Sequence, residues 1–101
     1  MKRMKNNAIV ILEANLKEDK VDEFQLLLSK YLPETREYPG FISIKIHKNL
    51  EHNTVVFYQE WETIEYYEAY LKWRTDTGVM DILENTFTAA PNIRYWKVLN
   101  L

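Results

Sequence analysis

The sequence predicts an α+β fold in which helices cover one face of a four-stranded antiparallel sheet. Four segments alternate between two sets of side chains, as β-strands do. The segments that follow the first and third strands instead repeat their apolar residues at helical spacing. Strands two and three are separated by residues 49 to 53 alone, a polar loop of hairpin length.

Residues 8 to 15 (AIVILEAN) form the first predicted strand. It carries apolar side chains on both faces, which indicates that both faces are covered. Residues 17 to 32 form the first helix, because apolar residues recur there at steps of three and four. These are Val21, Phe24, Leu27, Leu28, Tyr31 and Leu32. Pro33 either kinks or ends the helix, and the following TRE has room for one further turn.

Pro39-Gly40 interrupts the chain before the second and third strands, residues 41 to 48 and 54 to 61. In the second strand, alternation places Ile42, Ile44 and Ile46 on one face, which we expect to be dry. Phe41, Ser43, Lys45 and His47 then lie on the more polar face. A helix over residues 63 to 73 begins at Thr63, a good capping residue.

A further helix over residues 79 to 89 ends before Pro91, and residues 93 to 99 form the last strand. The order of elements is therefore βαββα(α)β, the ferredoxin-like arrangement. Its helices cover one face of the sheet only. If about 500 Å² of apolar surface stayed exposed to water, the protein would lose on the order of 10 kcal/mol of hydrophobic stabilisation. We therefore expect a homodimer in which the two sheets pair into an α/β barrel.

Composition narrows the possible functions. Residues 1 to 7 form a basic tail, which we expect to be disordered, and residues 8 to 101 form a single domain. The net charge of −2 argues against nucleic acid or an anionic membrane as a partner, and no apolar run is long enough to span a bilayer. The lack of cysteine fits a cytoplasmic protein. Two separated histidines without cysteines make a poor metal site, and no nucleotide or flavin motif occurs, so we expect no cofactor.

Fourteen aromatic residues suggest either a large core or a site for a flat organic ligand. Candidates for ring binding share an aromatic side chain near the predicted junction of helices and sheet; they are Phe57, Trp61, Tyr67, Tyr70 and Trp73. Lys45, in the middle of a strand, must reach water, a carboxylate or a ligand.

Three side chains are candidates for catalysis. His47 is a candidate base, or else a surface histidine at a strand end. Asp76 is a candidate base, or else the N-cap of the following helix. Arg74 is a candidate to hold an oxyanion, or else a partner in a salt bridge.

The chain resembles the antibiotic biosynthesis monooxygenase (ABM) domains from about residue 8 to residue 99. The resemblance rests on EYPGFISIKIHK, on VVFYQEWETIEYYEAYL and on a helix that ends before a PN-hydrophobic strand. It implies a small dimeric α/β barrel. Members include cofactor-independent oxygenases of quinols or anthrones, haem-degrading enzymes and proteins without an assigned reaction.

The resemblance also bears on the site. At the places where the haem-degrading branch has its Asn, Trp and His, this chain has Val10, Tyr70 and Met80, which argues against haem degradation. Many quinol oxygenases of the family carry a histidine after the second helix, where this chain has residues 73 to 78, WRTDTG. Three hypotheses remain. They are a cofactor-independent monooxygenase of a quinol or anthrone, a non-catalytic dimer that binds a small hydrophobic ligand, and a purely structural dimer.

Overall fold

The computed structural model describes residues 7 to 101 and confirms the predicted order of elements. The strands are β1 (Ala8–Asn15), β2 (Phe41–Lys48), β3 (Thr54–Trp61) and β4 (Asn92–Lys97). The helices are α1 (Val21–Arg36), α2 (Ile64–Asp76) and α3 (Val79–Glu84). The sheet order is β2-β3-β1-β4, and every neighbouring pair is antiparallel. The basic tail is predicted over residues 1 to 7, and residues 1 to 6 lie outside the described part.

The helix boundaries differ from the predicted ones for local reasons. A 3₁₀ turn, Glu18–Lys20, precedes α1, and α1 continues through Pro33 to Arg36. Thr63 caps α2 as predicted, because its hydroxyl accepts a hydrogen bond from the amide of Tyr66 at 3.1 Å. Helix α3 ends early, at Glu84, because the next residues return to the end of β1, where Phe87 forms a bridge with Leu16. No helix within residues 7 to 101 is long and apolar enough to cross a membrane.

The core lies between the helices and one face of the sheet, and it has two parts. One is mainly aliphatic, with Phe24 of α1 tilted against Phe57 of β3. The other surrounds Trp61 at the end of β3, which is fully buried and packs on Tyr67 of α2. The rings of α2 thus meet the sheet at the end of β3.

The expectation that Ile42 lies on a dry face is wrong. A β-bulge shifts the β2–β3 register between Phe41 and Ser43, so Phe41 turns toward the helices and packs edge-on against Trp61. Ile42, the extra residue, is 40% exposed. After the bulge, Ile44 and Ile46 do pack against the core, as the alternation predicts.

The other face of the sheet, which we call the open face, carries no helix from residues 7 to 101. Its middle contains Ile11, paired with Tyr58 on one side and with Arg94 on the other. Tyr58 and Trp96 expose 44% and 51% of their surface there. Lys45 and His47 lie on the same face, opposite Tyr58 and Val56 of β3. The open face is therefore apolar at its centre and charged toward the β2 edge.

Candidate functional site

A cavity lies between α1, the α2–α3 pair and the helix-covered face of the sheet. We call it the helix–sheet cavity. Its empty volume is about 580 Å³, part of which is open to solvent. Within it, the centre of a water molecule can occupy only about 50 Å³. Its walls are largely apolar; among the lining residues are Leu12, Leu28, Tyr31, Ile44, Phe57, Gln59, Tyr67, Tyr70, Leu71, Arg74, Met80 and Leu83.

Aromatic rings of α2 form the wall of the cavity nearest to the end of β3. Tyr67 and Tyr70 follow at a three-residue step, so they share one side of α2. Both rings pack against Trp61, with centroids at 5.7 and 5.0 Å. Each ring of the wall is therefore packed against at least one other ring.

The hydroxyl of Tyr67 is a polar group in this apolar wall. Tyr67 is 1% exposed, and its hydroxyl makes no hydrogen bond to any described residue. Burial raises the pKa of Tyr67 well above its ordinary value, and the neighbouring Tyr95 and Tyr70 raise it further. The phenol stays protonated at neutral pH, so it can donate a hydrogen bond to an oxygen atom inside the cavity.

Arg74, also on α2, is 2% exposed and joins α2 to the last turns of α1. Its Nη2 donates to the carbonyl oxygen of Tyr31 at 2.7 Å and to Oγ1 of Thr35 at 3.0 Å. Its Nη1 donates to Glu34 at 3.0 Å, and its Nε donates to the hydroxyl of Tyr70 at 3.1 Å. This leaves one N–H, on Nη1, without a partner among the described residues.

Aromatic rings surround the guanidinium as well. Its central carbon lies 4.5 Å from the ring centroid of Trp73 and 5.4 Å from those of Tyr70 and Tyr31. These are cation–π distances. The contacts and the four hydrogen bonds give Arg74 a structural role whether or not it also contacts a ligand.

The predicted site residues fall into three groups in the structure. Four of them line the helix–sheet cavity: Phe57, Tyr67, Tyr70 and Arg74. Trp61 and Trp73 lie behind this wall, Trp61 against Tyr67 and Tyr70, and Trp73 stacked on Tyr38 at 5.3 Å. The remaining three, Lys45, His47 and Asp76, do not line the cavity.

Those three residues lie on two other surfaces. Lys45 and His47 are exposed on the open face, on the other side of the sheet from the cavity. Asp76 is exposed on α2, where its carboxylate accepts a hydrogen bond from Lys72 at 2.6 Å, which raises the pKa of Lys72. The alternative role of Asp76 as an N-cap is not the one seen, since Asp76 ends α2 and Gly78 precedes α3 in a left-handed conformation.

Gln59 is a cavity residue outside the predicted set. It is 3% exposed and lies between Phe57 and Trp61 on the helix-covered face of β3. A signal was present in the sequence, because Gln59 is the one polar residue in the set Val55, Phe57, Gln59 and Trp61 that shares this face. A buried amide on an apolar strand face requires hydrogen-bond partners.

The donor set of the cavity is phenolic, amide and guanidinium. The lining residues include no aspartate, glutamate or histidine within the described part of the chain. Within residues 7 to 101, no three His, Asp or Glu side chains are grouped closely enough to hold a metal ion. The lining can therefore donate hydrogen bonds to an oxygen-bearing ligand, but it supplies no ordinary base.

The comparisons with known proteins agree with the fold. Solved structures similar to the chain include a conserved protein from Methanosarcina mazei (18% identity over 90% of this chain and 91% of that one, TM-score 0.82). Another is a monooxygenase from Streptomyces coelicolor in complex with nanaomycin D (17% identity, 95% and 90% covered, TM-score 0.77). A third is a protein from Shewanella oneidensis (14% identity, 96% and 95% covered, TM-score 0.78).

At such identities these likenesses concern the fold alone. No protein among the curated ones matches the sequence. The family model described as antibiotic biosynthesis monooxygenase matches residues 7 to 75, a span that runs from β1 through most of α2 and includes the aromatic wall of the cavity. The chain therefore belongs to the antibiotic biosynthesis monooxygenase family.

Proposed function

We propose that the protein is a monooxygenase of a small aromatic substrate, of quinol or anthrone type, that acts without a cofactor. The observation that carries the proposal is the helix–sheet cavity, whose walls combine aromatic rings with a buried, protonated phenol. Membership of the family supports the reaction class. The similar Streptomyces protein, a monooxygenase in complex with nanaomycin D, supports the substrate class.

The reaction can proceed without a cofactor only if the substrate itself reduces oxygen. An anthrone loses a proton from its ring CH₂ group and then transfers electrons to O₂. One oxygen atom becomes the new carbonyl oxygen, and the other leaves as water with the two hydrogens of the CH₂ group. The protein's part is to hold the ring and to stabilise the negative oxygen of the anion. Since no carboxylate or imidazole lines the cavity in the described part, the substrate must ionise readily by itself.

We assign ring binding in this proposal to Phe57, Tyr67 and Tyr70, which line the cavity. Trp61 and Trp73 support these rings from behind. His47, Lys45 and Asp76 have no part in it, because each lies away from the cavity. Arg74 is the charged residue in the cavity lining, and four hydrogen bonds hold its guanidinium in place.

An oxygen electrode tests the proposal. The purified protein is mixed with a panel of anthrones and quinols, and we expect oxygen uptake above the spontaneous rate together with the matching quinone as product. Tyr67→Phe keeps the ring but removes the hydroxyl, and it should lower the rate by roughly tenfold or more. Tyr58→Phe, on the open face, is the matched control and should leave the rate unchanged. No protein-dependent uptake across the panel would contradict the proposal.

A second candidate function is a dimer that binds or assembles without turnover. The observation in its favour is that only about 50 Å³ of the cavity has room for the centre of a water molecule, whereas sites for drug-sized ligands occupy roughly 300 Å³ or more. A fused ring requires α1 to move away from α2 and α3, and Arg74 opposes this movement. Saturable binding of an anthrone without oxygen uptake would favour this candidate over the oxygenase.

We also propose that two copies pair through their open faces. The support is the exposed apolar surface at the centre of that face, provided by Tyr58, Trp96 and the half-buried Ile11. A second copy would also cover the charged β2 edge of that face, where Lys45 and His47 lie. A monomer in sedimentation velocity at micromolar concentration would contradict the pairing.

A further inference from the structure

Gln59 carries an inference that deepens the proposed function. Its side chain is 3% exposed, yet it belongs to the lining of the helix–sheet cavity together with Tyr67 and Tyr70. It projects from the middle of β3, between Val10 of β1 and Ile44 of β2, which are its partners in the sheet. The amide is therefore anchored on an inner strand of the sheet, at the floor of the cavity.

The orientation of this amide is determined by Trp61. The indole nitrogen of Trp61 lies 3.0 Å from Oε1 of Gln59. An indole N–H can only donate, so the amide atom that faces it must be the carbonyl oxygen. Trp61 cannot turn away, since it is 0% exposed and packs against the rings of Tyr38, Phe41, Tyr67 and Tyr70. The NH₂ group of Gln59 is thus held in the opposite direction.

That NH₂ group has no hydrogen-bond partner among residues 7 to 101. Within the same residues, every fully buried side-chain nitrogen or oxygen does have a partner. The Nε2 atom of Gln59 must therefore border unfilled space, and the space that Gln59 lines is the helix–sheet cavity. An N–H donor that faces this space is satisfied when an oxygen atom, of water or of a ligand, occupies the cavity at this point.

We infer that Gln59 selects the substrate by donating a hydrogen bond from Nε2 to a carbonyl or phenolate oxygen on the aromatic ring. The inference rests on the proposed aromatic-binding function. Since Tyr67 offers a second buried donor in the same cavity, the ligand class is a fused ring that carries oxygen, such as an anthrone or naphthol, rather than a hydrocarbon. Gln59 is then a specificity residue, held in position by Trp61.

Two inert probes of nearly equal shape test the inference: 1-tetralone, which carries a ring carbonyl, and tetralin, which lacks it. Binding of each to the wild-type protein is followed by NMR titration. Although the hydrophobic effect favours tetralin, we expect 1-tetralone to bind roughly tenfold more tightly. Gln59→Leu should abolish this preference or reverse it. Gln25→Leu, the same substitution at an exposed position of α1, is the matched control and should keep it.

Gln59→Leu also removes the acceptor of the Trp61 N–H, so a second variant separates recognition from folding. Gln59→Glu keeps an oxygen for Trp61 and replaces the NH₂ group by a carboxyl oxygen. A buried carboxyl group is protonated, and so a donor, at low pH only. We expect the 1-tetralone preference of this variant to persist at pH 5 and to fall roughly tenfold at pH 9, whereas the wild-type preference stays constant.

Three outcomes would overturn the inference: equal binding of both probes to the wild-type protein, no binding of either, or a 1-tetralone preference that survives in Gln59→Leu. A pH-independent preference in Gln59→Glu would also overturn it, even if Gln59→Leu does not fold. A preference that depends on Gln59, without oxygen uptake in the electrode assay, supports the inference and refutes the oxygenase alone. The two proposals can therefore fail separately.

Discussion

Arg74 offers the sharpest test of how α1 and α2 are held together. In Arg74→Met, a flexible apolar chain replaces a guanidinium that is 2% exposed and makes four hydrogen bonds. The partners are not all left stranded, because Thr35 Oγ1 and the Tyr70 hydroxyl stay within 2.7 Å of each other. The main loss is then the charge-assisted bonds themselves.

The size of the effect follows from where these bonds lie. Hydrogen bonds to charged groups are worth roughly 1.5 to 3 kcal/mol each, and they are not additive within one cluster. The bond to Glu34 contributes least, because the side chain of Glu34 is 58% exposed and its charge is screened. We expect Arg74→Met to lower the free energy of unfolding by about 3 kcal/mol. For a domain of this length, that lowers Tm by about 12 to 24 °C.

Thermal and urea unfolding at one fixed protein concentration measure the effect, since a dimer's stability depends on concentration. Arg74→Lys keeps the positive charge but loses the planar set of N–H donors, and it should lower the free energy of unfolding by about 2 kcal/mol. Glu34→Gln keeps an acceptor and should cost less than about 1 kcal/mol, which makes it the matched control. A fall in Tm below about 4 °C for Arg74→Met, with loss of ligand binding or turnover, would refute the structural role and favour an oxyanion-binding one.

Three further predictions follow from other parts of the fold. Because the pKa of Tyr67 is raised, just above pH 10 only the unfolded chain ionises this group, so the folded state binds more protons and the free energy of unfolding falls as pH rises. Tyr67→Phe should reduce the slope of that fall by up to about 1.4 kcal/mol per pH unit, measured by urea unfolding at several pH values. An unchanged slope would count against burial of the phenol. Gly40 and Gly78 share a positive φ (85° and 84°), but a Cβ at Gly40 would overlap the side chain of Tyr66. Gly78→Ala should therefore lower the free energy of unfolding by roughly 1 kcal/mol and Gly40→Ala by roughly 3 kcal/mol or more. Equal losses would show that Tyr66 moves aside freely. Ile11→Glu should halve the sedimenting mass, while Ile82→Glu on α3, the matched control, should not; a dimeric Ile11→Glu would place the interface elsewhere.

The elements themselves could be predicted because their signals are local. Alternation in β1, β2 and β3, helical spacing in α1 and the cap at Thr63 each depend on neighbours within a few residues. The order of these elements then restricts the topology to very few sheets. The same signals failed at Ile42, since a bulge inserts one residue and reverses the face of every residue before it.

The site itself could be predicted only as a set of aromatic residues. Phe57, Tyr67 and Tyr70 do meet at one cavity, as large rings on adjacent elements tend to. His47 and Asp76 were selected by residue type, and residue type does not tell which face of a sheet or helix a side chain occupies. Gln59 carries a local signal, a polar residue on an apolar strand face, but the sequence does not show that the helix–sheet cavity lies over it.

Short-range periodicity in the sequence encodes the order of strands and helices, the fold class and the apolar character of both sheet faces. The packing of α1 against α2 makes Arg74 a buried clamp rather than a surface charge, since three of its partners lie 39 to 43 residues away on α1. The tertiary structure also determines that the NH₂ of Gln59 faces the cavity, because Trp61 holds the other end of the amide. Contacts between distant segments fix these orientations, and no local pattern records them.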